Sequence, residues 1–362
     1  MIATTLLAVC LSPWITALVT DPASVPRAAP PATVTQQRTV APERAWMAPL
    51  GELRHAALLH VGPVGDLLLA EDDRGGLTAL DPESGTPRWF VQLPALLTSW
   101  PVPGDRHLAL ACGADVVVVV AATGTRVCTV SSSSIPANSP TADEHALYVP
   151  TLLRDRLVAT DLDTGAQSWE YQLSAPIATP AQLIGPAGTR SVLVGCDDGV
   201  LRALPTGRSV PEAERWAVHV GPILDRPMIA GGRVFVASRE RVLTALDESS
   251  GVVLWTHLPG ERLRGAPVVV GDLVVFGTGT RLVALHAENG RPAWEQASTS
   301  MPLAELQGAL VCTCAADGSS ELRDAATGIA YPRHLPGNVA SSHGLLMELR
   351  GGAEIVAWKI AH

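Results

Sequence analysis

The chain has 362 residues, 47% apolar and 17% charged, enough to bury a large core without metals or disulfides. Twenty-six basic residues against 35 acidic ones leave a net charge of −9, which offers nothing to hold phosphate backbones and excludes nucleic acid as a partner. Lys359 is the single lysine, so a Walker-type phosphate loop is excluded, and so is a Schiff-base lysine at any other position.

Residues 1–20 carry no charged side chain and are mostly apolar, as expected of a secretory signal peptide or a membrane anchor, although no Lys or Arg precedes the apolar run. Cys10 follows Leu7-Ala8-Val9, a lipoprotein-like box in which Val9 is bulkier than such sites want. Residues 21–42 hold Pro22, Pro26, Pro30, Pro31 and Pro42 among Ala, Thr and Val and read as an extended linker. Once Cys10 is set aside, Cys112, Cys128, Cys196, Cys312 and Cys314 remain, an odd number that argues against a complete disulfide framework. They read as small core residues on strands, with Cys312 and Cys314 on one strand face where a pair or a metal is the alternative.

From residue 43 to the end one sentence recurs. LTALDPESGTPRW begins at Leu77, LVATDLDTGAQSW at Leu157, LTALDESSGVVLW at Leu243 and LVALHAENGRPAW at Leu282. Gly85, Gly124, Gly165, Gly207, Gly251, Gly290 and Gly328 mark the repeat at intervals of 38 to 44 residues, the period of a stacked array or a propeller. Before each marker stands an alternating run such as Val268–Phe276, two strands around a Gly271-Asp272 turn. Each unit therefore reads as four antiparallel strands, A to D, with Trp on D. Four short strands per period make a blade, and no window holds a helical period long enough for a solenoid. Pro140, Pro180, Pro227 and Pro267 fall on strand A, which places that strand at a free inner edge, since proline cannot donate to a ladder on that side.

The ends complete the count. Ile355–Lys359 is a strand C with no D after it, and Arg44–Met47 is a strand D with no blade before it. Trp46, Trp89, Cys128, Trp169, Trp216, Trp255, Trp294 and Tyr331 then give eight D strands, so the fold class is all-β, an eight-bladed propeller closed by the N-terminal strand completing the last blade. The motif Ala-x-Asp…Ser/Thr-Gly…Trp resembles that of the PQQ-like eight-bladed propellers. Ala79/Asp81/Gly85/Trp89, Ala159/Asp161/Gly165/Trp169 and Ala245/Asp247/Gly251/Trp255 match it in full, and His286 replaces the Asp in the next unit. The resemblance implies that each Trp docks on the neighbouring blade, with the girdle weakest at Cys128 and Tyr331.

Some relatives in that family are quinoprotein dehydrogenases. The resemblance implies for those a disulfide of adjacent cysteines, a Trp under the quinone, Glu and Asn on Ca²⁺ and an Asp base. Here Thr313 separates Cys312 from Cys314, and Asn138, Asn289 and Asn338 are the only asparagines. No catalytic, cofactor-binding or metal residue is expected, and no cofactor. Strand order puts the B–C turns on one face, which gathers Glu71–Arg74, Asp115, Arg154, Asp155, Arg156, Asp197, Asp198, Arg239, Glu240, Arg241, Arg281 and Asp317. A charged rim is a solvated surface or a recognition platform; Arg154–Arg156, Asp197–Asp198 and Arg239–Arg241 are the candidates for the second. The expectation is a non-enzymatic, secreted or cell-envelope propeller, possibly membrane-anchored through residues 1–20 only, that binds another protein as a scaffold or senses an extracellular ligand. The alternatives are a degenerate PQQ-dependent dehydrogenase and a cytosolic scaffold.

Overall fold

A computed structural model describes residues 41–361 apart from 50–52, 62–64, 103–105, 132–134, 153–154, 208, 210, 212, 307–308, 314–319, 336–338, 343–344 and 351–353. The expected signal or anchor (1–20), nearly all of the linker, Arg154, Cys314 and Asp317 lie outside the described residues. Among the described residues every regular element is a strand.

The chain opens with β1 (Ala41–Pro49), two residues ahead of the expected start of the propeller. Blade 1 holds β2 (Leu53–Val61), β3 (Gly65–Asp72), β4 (Gly76–Leu80) and β5 (Pro87–Gln92). Blade 2 holds β6 (His107–Cys112), β7 (Asp115–Val120) and β8 (Arg126–Ser131); its inner position is taken by a single backbone bond from Thr98 N–H to the Ala111 carbonyl, 2.9 Å. Blade 3 holds β9 (Thr141–Ala142), β10 (Ala146–Pro150), β11 (Arg156–Asp161) and β12 (Gln167–Gln172). Blade 4 holds β13 (Gln182–Ile184), β14 (Ser191–Gly195), β15 (Val200–Pro205) and β16 (Trp216–His219). Blade 5 holds β17 (Met228–Ala230), β18 (Arg233–Ala237), β19 (Leu243–Asp247) and β20 (Val253–His257). Blade 6 holds β21 (Arg264–Val270), β22 (Leu273–Gly277), β23 (Arg281–His286) and β24 (Pro292–Ala297). Blade 7 holds β25 (Met301–Leu306), β26 (Ala309–Thr313), β27 (Ser320–Asp324) and β28 (Ala330–Leu335). Blade 8 is built from both ends of the chain: β29 (Val339–Ser342), β30 (Leu345–Arg350) and β31 (Glu354–Ala361) are followed, on the outer edge, by β1.

That last pairing closes the ring as the sequence required. Strand β1 runs antiparallel to β31, with Arg44 opposite Trp358 and Met47 opposite Val356. The A strands of successive blades touch, β2 with β29, β29 with β25, β25 with β21 and β21 with β17, which puts them at the axis. Pro180 and Pro227 stand at the entry to β13 and β17 and Pro267 lies within β21, at the edge where no ladder partner is lost.

The hydrophobic cores lie between blades, not inside them. Val234 and Val236 of β18 face the cluster shared with blade 4, whereas Phe235 and Ala237 of the same strand face the cluster shared with blade 6. A strand buried on both faces needs apolar residues at every position, which is why the B strands read as unbroken runs such as Val-Leu-Val.

The recurring motif explains how the blades lock. The Asp81 carboxylate accepts from the N–H groups of Glu83 (3.0 Å) and Ser84 (2.9 Å), and the Gly85 N–H returns to the Asp81 carbonyl (2.8 Å) with Gly85 at φ +70°. The turn inserts a bulge at the motif alanine, between Ala79 and Leu80, and the same bulge follows Ala159, Ala245 and Ala284. That alanine sits opposite the Trp in register, Ala79 with Trp89 and Ala245 with Trp255, and its small side chain leaves room for the indole. The indole then crosses to the next blade. Trp89 donates to the Ala121 carbonyl (2.7 Å), Trp169 to Gly207 (2.8 Å), Trp216 to Glu248 (3.1 Å), Trp255 to Ala287 (3.1 Å) and Trp294 to Ala325 (2.8 Å). A buried Trp of this kind holds its seam with about 3–5 kcal/mol on the scale of truncation to alanine. The girdle is interrupted where blade 2 carries Cys128: no atom lies within 4 Å of the Cβ position of Gly165 on blade 3.

Candidate binding faces

An antiparallel meander sends the B–C turns and the D–A connections to one face of the ring and the A–B and C–D turns to the other. The first face carries the charged residues singled out from the sequence, and the structure divides them into two groups.

The first group is bonded within the ring. Arg156 donates to Gln172 Oε1 (2.9 Å) and Glu170 Oε1 (2.5 Å) across its own blade. Asp155, at φ +49°, uses its carbonyl to receive Leu173 N–H, 2.8 Å. Asp198 receives Ser174 Oγ–H (2.7 Å) and both terminal nitrogens of the buried Arg202 (3.2 and 2.7 Å). The Arg202 guanidinium holds the Asp198 carboxyl down from 3.8 to about 2, against the opposing effect of burial. Arg202 also bonds Glu214 at 3.1 Å, so Asp198 belongs to a blade 4 network. Glu71, expected in the turn, is instead buried at the end of β3, where Oε1 accepts Leu97 N–H at 2.6 Å. Its role is to hold the D–A connection, because a buried carboxylate must find a donor.

The second group, Arg241 apart, has its side chains free among the described residues. Asp197, Arg239 and Glu240 are exposed on the adjacent turns of blades 4 and 5, and Arg239 is anchored by its backbone alone, N–H to the Pro222 carbonyl at 2.7 Å. Arg241, at φ +70°, reaches the Gly260 carbonyl at 3.3 Å. Three large apolar side chains share this face: Leu152 (57% exposed) and Ile135 (51%), whose backbones bond each other at 3.0 Å, and Leu258 (70%) beside blade 5. No pattern in the sequence marks them, because a lone Leu in a loop has no period.

The opposite face carries two clefts between blades. Ile184, Ser191, Arg215, Asp247 and Glu248 line about 500 Å³ between blades 4 and 5. Arg233, Phe235, Asp272, His286 and Asn289 line about 260 Å³ at the next seam, with His286 Nδ1 3.5 Å from Asp272 Oδ2. Cys112 and Cys312 are free thiols buried on strands and Cys196 one buried just past the end of β14, and burial pushes Cys312 up to about 12, which keeps it a protonated core residue.

A family model described as outer membrane protein assembly factor BamB matches residues 38–176 and 113–328. The chain belongs to this family of PQQ-like propellers. Among the family's members, BamB of Yersinia pestis is 32% identical over 152 residues, covering 38% of this chain and 38% of that protein. BamB of Nitrosomonas eutropha is 27% identical over 244 residues, 62% of this chain and 58% of that protein. The matches thus span less than two thirds of those relatives' own lengths. The crystal structure of BamB from Moraxella catarrhalis has the same fold, with a TM-score of 0.68 over 89% of this chain and 98% of that one at 17% identity.

Proposed function

We propose that this protein is a non-enzymatic scaffold of the cell envelope that binds another protein through the face formed by its B–C turns and D–A connections. The role is analogous to the one named in its relatives, assembly of outer membrane proteins. The observation that carries the reading is the pairing, on one face, of uncommitted charges (Asp197, Arg239, Glu240) with exposed apolar anchors (Leu152, Ile135, Leu258). Apolar anchors ringed by charge are the makeup of protein interfaces, where the anchors supply affinity and the charges orientation. A rigid ring suits that task, since neighbouring blades present their turns in fixed relation at little ordering cost.

The test is affinity capture from envelope extracts with full-length protein, comparing wild type with Leu258→Asp and with the double reversal Arg239→Glu/Glu240→Arg. Specific partners should be lost from the Leu258→Asp capture and weakened by the reversal, while an outward variant on the other face, Asn289→Asp, retains them. A partner set identical across all four proteins overturns the assignment. Arg156 and Asp198 are unsuitable for this purpose, because their reversal breaks bonds inside the ring.

A further inference from the structure

The larger cleft, on the face opposite the proposed interface, contains groups that the fold leaves unused. Ser191 is 1% exposed, and its Oγ has no hydrogen-bond partner among the described residues. Buried hydroxyls are rarely left so, and one lining a cavity points to a ligand. Arg215 lines the same cavity; its backbone bonds the Ala203 carbonyl (2.8 Å), while its guanidinium takes no partner among the described residues. Glu248 receives Gly185 N–H on Oε1 (2.6 Å) and has Oε2 to spare. Asp247 accepts its four turn donors, from Ser249 and Ser250, on Oδ1 alone, which leaves Oδ2. Those donors keep the Asp247 carboxyl at about 2, ionised at any physiological pH.

The cleft therefore offers one cation, two anionic oxygens and a hydroxyl over an Ile184 and Pro186 wall, in about 500 Å³, within the range of small-molecule sites. A simple carboxylate would satisfy Arg215 and be repelled by Asp247 and Glu248. A simple amine would do the reverse. We propose that the blade 4–blade 5 cleft binds a basic amino acid, its carboxylate on Arg215 and Ser191, its two ammonium groups on Glu248 and Asp247, and its aliphatic stem along Ile184 and Pro186. The net charge of the ligand, +1, matches the −1 of the three charged side chains. The site is separate from the proposed protein interface and stands or falls independently of it.

The probes are L-lysine, lysinamide, which lacks the carboxylate, and Nα-acetyl-lysine, which lacks the α-ammonium, titrated calorimetrically into the full chain. L-lysine should bind more tightly than either derivative. Arg215→Ala should weaken L-lysine about tenfold, the equivalent of one charge-assisted contact, and leave lysinamide unchanged, because that probe never used the guanidinium. Ser191→Ala should also weaken L-lysine without lowering the melting temperature, since no protein bond is removed. The proposal is overturned if L-lysine gives no saturable heat at concentrations up to about 10 mM, a weaker limit than any specific site of this kind would show. It is equally overturned if Arg215→Ala weakens lysine and lysinamide alike.

Discussion

Gly251 and Gly165 occupy the same position of the same turn with the same left-handed backbone, φ +70° and +69°. They differ in what stands over them. A Cβ at Gly251 would meet the Trp216 ring at 2.6 Å, whereas at Gly165 it would meet nothing within 4 Å. Gly165→Ala should therefore cost only the left-handed penalty, about 1–2 kcal/mol, and Gly251→Ala should cost that plus an overpacking term of about 1–3 kcal/mol. Urea melts of the two variants measure the difference, and equal losses would show that the indole does not set the requirement. The first reason for these glycines, the turn, was legible in the repeated Ser/Thr-Gly. The second, the approach of a neighbour's ring, was not, because it exists only once two blades have packed.

At the level of strands and seams, strand order and turn positions were readable from the period and the motif, and Trp docking was implied by the family resemblance. Buried ionic residues were not. Arg323 of β27 is 8% exposed and donates to Glu321 (2.7 Å), the Gly328 carbonyl (2.8 Å) and Ser298 (3.1 Å); the sequence shows only a charged residue in an alternating strand. Glu321 shares its strand, but the other two partners come from the turn and from the D–A connection that precedes the blade, so its burial depends on structure beyond its own strand. The gap in the girdle at blade 2 supports a gain-of-stability prediction. Four of the five docked indoles donate to the carbonyl one residue past the motif Asp position, as Trp216 does to Glu248, and Trp169 alone among them reaches the turn glycine, Gly207; on the commoner pattern Cys128→Trp should place an indole over Gly165 with the Leu162 carbonyl as acceptor. Filling that space should stabilise the protein by about 0.5–2 kcal/mol, read as a raised melting temperature. A fall would mean that the packing of Cys128 against Ala109, Val116 and Leu162 has no slack to admit the ring.

For the molecule as a whole, closure of the ring was the boldest expectation and rested on two fragments, Arg44–Met47 and Ile355–Lys359, that made sense only together. Their antiparallel register bears it out. Removing residues 1–49 should expose the β31 edge, lower the melting temperature by about 10 °C or more and promote association, as seen by size-exclusion chromatography. A truncated protein that melts like wild type and stays monomeric would show that β1 is dispensable. The clefts on the far face escaped the sequence reading for a related reason: Ser191 and Arg215 belong to blade 4, Asp247 and Glu248 to blade 5, and no local pattern joins them.

The junction of β1 with β31 also orders events during folding. The first strand of the ring cannot pair until the last one is in place, so seven blades can assemble while the eighth waits. Through that interval the array holds an unmatched edge at each end, and both must be kept from strangers until the ring shuts.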